Sequence, residues 1–334
     1  MTTGSFLDSI EVHNAEPEFH AGPGGWKFPR FDRRTRTGIH GRNMAAQPTG
    51  VELRFVGDGP AASFTLQNHG ERASVVLRKG AFFVARYEIA SGSTRRFPIS
   101  GGERLPQVTA EKQQSGGWSH EVWRIQLERG DLLLKELDGG EGDLRPPRAE
   151  EKPRLRWLAY GSSITHADLN GYPSVAAQVL PADVLNKGMS GSCHIENRTA
   201  DYLAAQRFDL ATLELGINMR SAFDPTEFER RVVYLLNKLR EGRPETPLVL
   251  LTHFLNKDHH PVGEPPAEAG KQIAFDEVLR RQHRDRDDPH LHLIEGTELL
   301  TDFGLLAADL IHPTHEGQAQ MGLRLAERLR GRIG

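Results

Sequence analysis

Beyond Pro153 the chain alternates short apolar runs with longer segments of helical spacing, and this restricts it to few folds. Strands are expected at 154–160, 183–187, 209–215, 247–252 and 290–294. Helices are expected at about 171–180, 199–206, 225–241, 268–286 and 315–331. Phe228, Val232, Leu235, Leu236 and Leu239 recur at the spacing of one helical face, as do Met321, Leu325 and Leu329. Strands separated by helices of this length argue a parallel sheet with helices on both faces.

The preceding region has a different texture. Alternating runs at 51–56, 62–67, 74–78, 82–89, 121–127 and 132–137 are separated by turn signals such as Gly57-Asp-Gly-Pro60, Asn68-His-Gly70, Lys79-Gly80 and Arg129-Gly-Asp131. Short strands at this density argue a β-sandwich or jelly roll. Residues 1–50 carry few periodic signals, and Gly22-Pro-Gly-Gly25 and Arg33-Arg-Thr-Arg36 read as loop. Trp26, Phe28 and Phe31 are expected to anchor this arm by packing, a sugar-stacking surface being the alternative. The charged, turn-rich stretch 138–153 reads as a linker. The division expected is therefore a β domain over 1–150 and an α/β domain over 151–334.

The net charge of −3 gives no basic excess with which to hold nucleic acid or an anionic membrane. No run of about 18 apolar residues occurs that could span a bilayer. One cysteine, Cys193, excludes an internal disulfide, and the first residues lack a basic segment followed by an apolar run. A cytoplasmic location is the expectation.

The chemistry-bearing residues follow the expected strands of the α/β region. Leu158-Ala-Tyr-Gly-Ser-Ser-Ile-Thr-His166 reads as a strand end, a tight turn at Gly161 and the start of a helix. Open α/β sheets build their sites outside the carboxyl ends of strands, which is where Ser163 would lie. Alone, a serine before a helix is more often a cap. Three further stretches fall at the same edge: Asn186-Lys-Gly-Met-Ser-Gly191, Gly216-Ile-Asn218, and Asp309-Leu-Ile-His312. Asp309 and His312, three apart in a helical turn, would project together, the acid orienting the imidazole toward Ser163. Separately, Asp309 could cap the last helix, His312-Pro313 could begin it, and Asn218 could be a turn residue.

In this order the four stretches resemble the four sequence blocks of the SGNH/GDSL hydrolase superfamily, over residues 154–334. Gly161-Ser-Ser-Ile-Thr165 matches the first, Gly188 the second, Asn218 the third, and Asp309 with His312 the fourth. Ser162 stands where the name-giving pattern has aspartate, and Met219 where the third block has one. With a β domain in front, the form Tyr-Gly-Ser-Ser-Ile-Thr-His is similar to the branch holding salicylyl acyltransferases and two-domain carbohydrate esterases. The resemblance implies a flavodoxin-like three-layer α/β/α domain preceded by an all-β, jelly-roll-like sandwich. It implies Ser163 as nucleophile, His312 as base and Asp309 as its partner. The oxyanion would be held by the Ser163 and Gly188 N–H groups and the Asn218 amide.

The activity implied is serine esterase chemistry on short acyl, above all acetyl, esters, with a small molecule or carbohydrate as substrate and no cofactor. An acyltransferase using the same acyl-enzyme, and a carbohydrate-binding protein with a silent triad, are the rival readings. His166, His253 and Arg220 are candidate pocket residues, with solvent exposure the alternative for each. His253, His259 and His260 lack ligand spacing, so no metal is expected. The loop 256–266 is a candidate lid. Helix-rich α/β domains often form homo-oligomers, and nothing in the sequence marks an interface.

Overall fold

The computed structural model describes residues 6–57, 59 and 61–332. Met1–Ser5 of the N-terminal segment, and Asp58 and Pro60 of the turn expected at Gly57–Pro60, lie outside the described residues. The chain forms two compact units. The first comprises Met1–Asp32, Ala45–Arg154 and Pro181–Leu185. The second comprises Arg33–Met44, Leu155–Leu180 and Asn186–Gly334.

The first unit contains two five-stranded sheets. One runs Glu11–His13, Val51–Val56, Val122–Arg129, Arg72–Lys79 and Phe82–Ala90, with every pair antiparallel. The other runs Glu18–His20, Gly25–Lys27, Leu132–Asp138, Ser63–Asn68 and Thr94–Pro98, again antiparallel. Strands place alternate side chains on opposite faces, and the apolar set from each sheet meets in one core. Leu53, Phe55, Val75, Leu77, Ile125 and Leu127 from the first sheet cluster with Phe64, Leu66, Phe97, Leu132 and Leu134 from the second. Truncating one such buried phenylalanine to alanine typically costs about 3–5 kcal/mol.

The opposite face of Val51–Val56 is also buried, though its pattern reads as polar and solvated. Arg54 contacts three carboxylates: Glu52 Oε2 at 2.7 Å, Glu11 Oε1 at 2.9 Å, and both Asp183 oxygens at 2.6 and 2.9 Å. Arg124 reaches both Glu52 oxygens at 2.6 and 2.8 Å. The Trp118 ring lies under both guanidinium groups, at 4.6 Å from Arg54 and 3.9 Å from Arg124. Burial opposes the ionised Asp183 carboxyl, but the attraction of Arg54 outweighs it and holds the pKa at about 2.

The stretch expected as a linker is ordered within this unit. Arg145 pairs backbone groups with Val56 and holds Glu151 through two bonds of 2.6 and 2.8 Å. Residues 6–50 are also more structured than their composition suggests. Glu18–His20 and Gly25–Lys27 form a hairpin around the glycine-rich turn, and Arg33–Thr37 and Arg42–Ala46 are short helices where loop was expected. Phe28 and Phe31 are buried, and Trp26 packs against the core, as anchors do.

The third sheet is built from β1 (Leu155–Tyr160), β3 (Leu210–Glu214), β4 (Leu248–Leu251) and β5 (Leu291–Ile294) of the second unit, together with β2 (Ala182–Asn186), whose residues up to Leu185 belong to the first. Their order is β2-β1-β3-β4-β5, the flavodoxin-like arrangement, with β1, β3, β4 and β5 paired in parallel. β3 and β4 are buried along their whole length, as expected of strands covered on both faces. Helices Tyr172–Val179, Asn197–Ala205, Pro225–Arg240, Ala267–Asp285 and His315–Arg330 supply the covering layers. Phe228 of one and Phe275 of another stack at 4.1 Å. No helix among the described residues is long and apolar enough to cross a membrane.

Candidate active site

β1 ends at Tyr160 and the chain turns at Gly161 into the short helix Ser163–His166. A side chain at Gly161 would overlap Thr165 Oγ1 and the Glu214 carboxylate, so glycine is required here. Ser162 is the N-cap, its Oγ accepting from the Ile164 N–H at 3.1 Å. The capping role therefore falls to the first serine of the pair and leaves the second for chemistry. Serine at 162 does what an aspartate would do at that position, because both are good N-caps.

Ser163 Oγ lies 2.7 Å from His312 Nε2, and His312 Nδ1 lies 2.7 Å from Asp309 Oδ2. Asp309 Oδ1 accepts from the backbone N–H groups of Ile311 and His312, each at 2.9 Å. The turn that carries the pair is not helical. Leu310 sits at φ 55°, a left-handed conformation that costs a non-glycine residue about 1–2 kcal/mol, and Lys257 N–H ties its carbonyl down at 2.9 Å. The acid and the imidazole thus meet through a strained turn, not through the helical spacing expected. The last helix begins later, at His315, capped by Thr314 through the Gly317 N–H. Asp309 is no helix cap, and His312-Pro313 do not start a helix.

Some burial disfavours the Asp309 charge, but the His312 N–H, the imidazole and the Ile311 N–H together hold its pKa at about 2. As a permanent acceptor it fixes the tautomer with hydrogen on Nδ1, leaving the Nε2 lone pair for the serine proton. About half of each side chain is open to solvent, 46% for His312 and 49% for Asp309.

The other matched positions lie just past the ends of β2 and β3. Gly188 packs so closely on the His166 backbone that a Cβ would overlap it. Its N–H donates to Asn186 Oδ1 at 2.9 Å, so that donor is already in use. Asn218 Oδ1 accepts from the Cys193 N–H at 3.1 Å, which fixes the amide and turns its NH2 end the other way. Ser163 is the first residue of the helix, a position whose N–H lacks an intrahelical acceptor.

The three pocket candidates are all buried. His166 bonds Ser190 Oγ through Nδ1 at 2.6 Å. His253 bonds Asp276 Oδ1 at 2.7 Å through Nδ1 and at 3.0 Å through its backbone N–H. Arg220, for which exposure was an option, is 5% exposed and is held by Asp258 Oδ2 at 2.7 Å and by Gln272. Asn256, at the head of the loop expected as a lid, caps a short 3-10 turn (Lys257–His259) and bonds Gln272 at 3.1 Å. Arg220 and His253 therefore brace this edge from within. Cys193 is a packed thiol, and burial pushes its pKa well up.

Two features escape sequence reading. His40, in the arm segment that joins this unit, stacks on His194 at 5.0 Å, beside Asn218. Glu214, at the end of β3, is buried and accepts from the Ser162 N–H at 2.6 Å and Thr165 Oγ1 at 3.1 Å. A glutamate in Thr-Leu-Glu-Leu-Gly reads as one polar residue in an apolar strand, and only the turn beside it gives it partners.

Residues 159–320 match the model of the GDSL-like Lipase/Acylhydrolase family. No curated protein matches the chain in sequence. Several solved structures share its fold. A salicylyl-acyltransferase from a tetracycline biosynthetic pathway superposes with TM-score 0.77 at 18% identity, covering 97% of this chain and 95% of that one. A family two carbohydrate esterase from Clostridium thermocellum, in complex with cellohexaose, gives TM-score 0.62 at 15% identity, covering 97% and 99%. An acetyl xylan esterase from the rumen bacterium Butyrivibrio proteoclasticus gives 0.59 at 13%, covering 99% and 97%. The α/β unit is of the SGNH hydrolase superfamily, and the chain carries an additional N-terminal β unit.

Proposed function

We propose that this SGNH-superfamily protein is a serine esterase that removes short acyl groups, in the first place acetyl, from carbohydrate or small-molecule alcohols. The observation that carries the reading is the continuous chain Ser163 Oγ–His312–Asp309, with both links at 2.7 Å. His312 Nε2 takes the Ser163 proton as Oγ attacks the ester carbonyl. The C–O bond to the alcohol breaks as His312 returns that proton to the leaving oxygen. Water then attacks the acyl-serine, again through His312, and releases the acid and free Ser163.

The oxyanion of each tetrahedral intermediate is held by Ser163 N–H and the Asn218 NH2 group. Gly188 N–H becomes the third donor by exchanging its bond to Asn186 Oδ1. Each such donor is worth about 3–4 kcal/mol of transition-state stabilisation.

Transfer to an alcohol would use the same acyl-enzyme and differs only in how well water is kept out. The half-open His312 and Asp309 side chains favour water as the acceptor. The test is p-nitrophenyl acetate turnover by wild type and Ser163→Ala, with acetate release from acetylated oligosaccharides measured alongside, with and without added alcohol. Turnover lost in the variant and undiminished acetate release with alcohol support the esterase. An alcohol that captures most of the acyl group points to transfer, and absence of turnover by folded wild type overturns the reading.

A further inference from the structure

The reaction above gives no part to the buried acid beneath the serine turn. Glu214 Oε2 lies 2.6 Å from Ser162 N and 3.1 Å from Thr165 Oγ1. Thr165 Oγ1 is in turn 2.7 Å from the Tyr172 hydroxyl. The missing side chain of Gly161 is what admits the carboxylate. Ser162 is thereby held at every polar group: its N–H by Glu214, its Oγ by the Ile164 N–H at 3.1 Å, and its carbonyl by the His166 N–H at 2.9 Å. The peptide unit joining Ser162 to Ser163 carries the N–H aimed at the oxyanion, and these bonds set its orientation.

We infer that Glu214 is a positioning residue for the reaction proposed above. Through the Ser162 N–H it fixes the Gly161–Ser162 peptide, and so keeps Ser163 Oγ and Ser163 N–H in their reacting directions. The role rests on the esterase reading of Ser163. It requires an oxygen acceptor at this point and not a negative charge. A full charge here would oppose the nearby oxyanion, and no lysine or arginine pairs with Glu214 among the described contacts. Burial, the largest influence, favours the neutral acid against the pull of Ser162, His253 and Thr165.

A purely structural acid would affect stability, and a positioning acid affects turnover. The test uses the full chain and three variants: Glu214→Met, which keeps volume and removes the acceptor; Glu214→Gln, which keeps an oxygen; and Glu214→Asp, which withdraws it by one methylene. The readouts are kcat and KM for p-nitrophenyl acetate, scaled to folded protein, and amide hydrogen exchange at Ser162. Glu214→Met is expected to lose about 10²-fold in kcat, the usual cost of misaligning a reacting group, with KM within about threefold. Its Ser162 amide exchanges faster. Glu214→Gln regains at least about tenfold of the lost kcat and the amide protection, and Glu214→Asp is slower than Glu214→Gln.

Wild-type kcat in folded Glu214→Met, or Glu214→Gln as slow as Glu214→Met, overturns the inference. If Glu214→Met does not fold, a Glu214→Asp protein with wild-type kcat overturns it equally. If wild type turns over no ester, the esterase reading fails, and Ser162 exchange then decides this inference alone: unchanged protection in the variants rejects it.

Discussion

Both units bury carboxylates, and their surroundings differ. In the β unit, Glu52 and Asp183 face the guanidinium groups of Arg54 and Arg124, and both pKa values fall. In the α/β unit, Glu214 faces a backbone N–H and a threonine hydroxyl, and its pKa rises. The first arrangement is a closed set of charges whose worth is that no member is left alone. The second is a polar brace with no arginine or lysine among its described contacts, set under a serine that hydrogen-bonds an imidazole. Buried charges that are fully paired belong to the architecture, whereas buried polar groups that hold a turn in one orientation belong to the chemistry.

Changes in the two regions should therefore fail differently. The largest effect is expected from Asp309→Asn, which lets the imidazole take the wrong tautomer: kcat should fall about 10⁴-fold. Stability should move less, by about 1–2 kcal/mol, since asparagine keeps the Oδ1 acceptor for the Ile311 and His312 N–H groups and the side chain is half exposed. Parallel kinetics and thermal melts check this, and a large loss of stability would blur the distinction between the regions. Arg54→Met should do the reverse. Depriving the buried Asp183 of its arginine, while Glu11 keeps Lys152, should cost about 3–5 kcal/mol of stability by denaturant unfolding, with kcat per folded molecule unchanged. Asn218→Ala, which removes one of the donors proposed for the oxyanion, should lower kcat by about 10²- to 10³-fold at similar KM.

The pH dependence is the subtlest contrast. Asp183 has a folded pKa of about 2, and Glu52 is also depressed. Acids with depressed folded pKa values contribute stability above their unfolded values, about 4, and lose it as pH falls toward 2. Melting temperature should drop across that window in wild type and drop less in Arg54→Met. Asp309 also stays ionised to about pH 2, so its protonation should not be what ends turnover at mildly acidic pH.

How much was legible in the sequence follows the same division. The strands of the third sheet lie within a residue or two of expectation, because each is a short, mainly apolar run between turn signals. Ser163 stood out because it follows β1, and Asp309 and His312 because they precede the last helix, and the structure brings the three side chains together. The arm segment Arg33–Met44 was not: its arginines read as solvated loop, yet it folds with the α/β unit and brings His40 onto His194. Glu52 and Arg54 alternate with apolar neighbours in Val-Glu-Leu-Arg-Phe-Val and so read as a wet face. Their burial depends on partners distant in sequence, which no local pattern reveals. The left-handed Leu310 is likewise invisible, since leucine is a poor signal for positive φ.

The central claim is that Ser163 is the activated nucleophile. The most direct test is the intact mass of the folded protein after exposure to a fluorophosphonate, with the labelled residue mapped by peptide analysis. The account predicts one adduct, on Ser163, absent from Ser163→Ala and slowed in Asp309→Asn. An unlabelled wild type, or a single adduct on another residue, would contradict it.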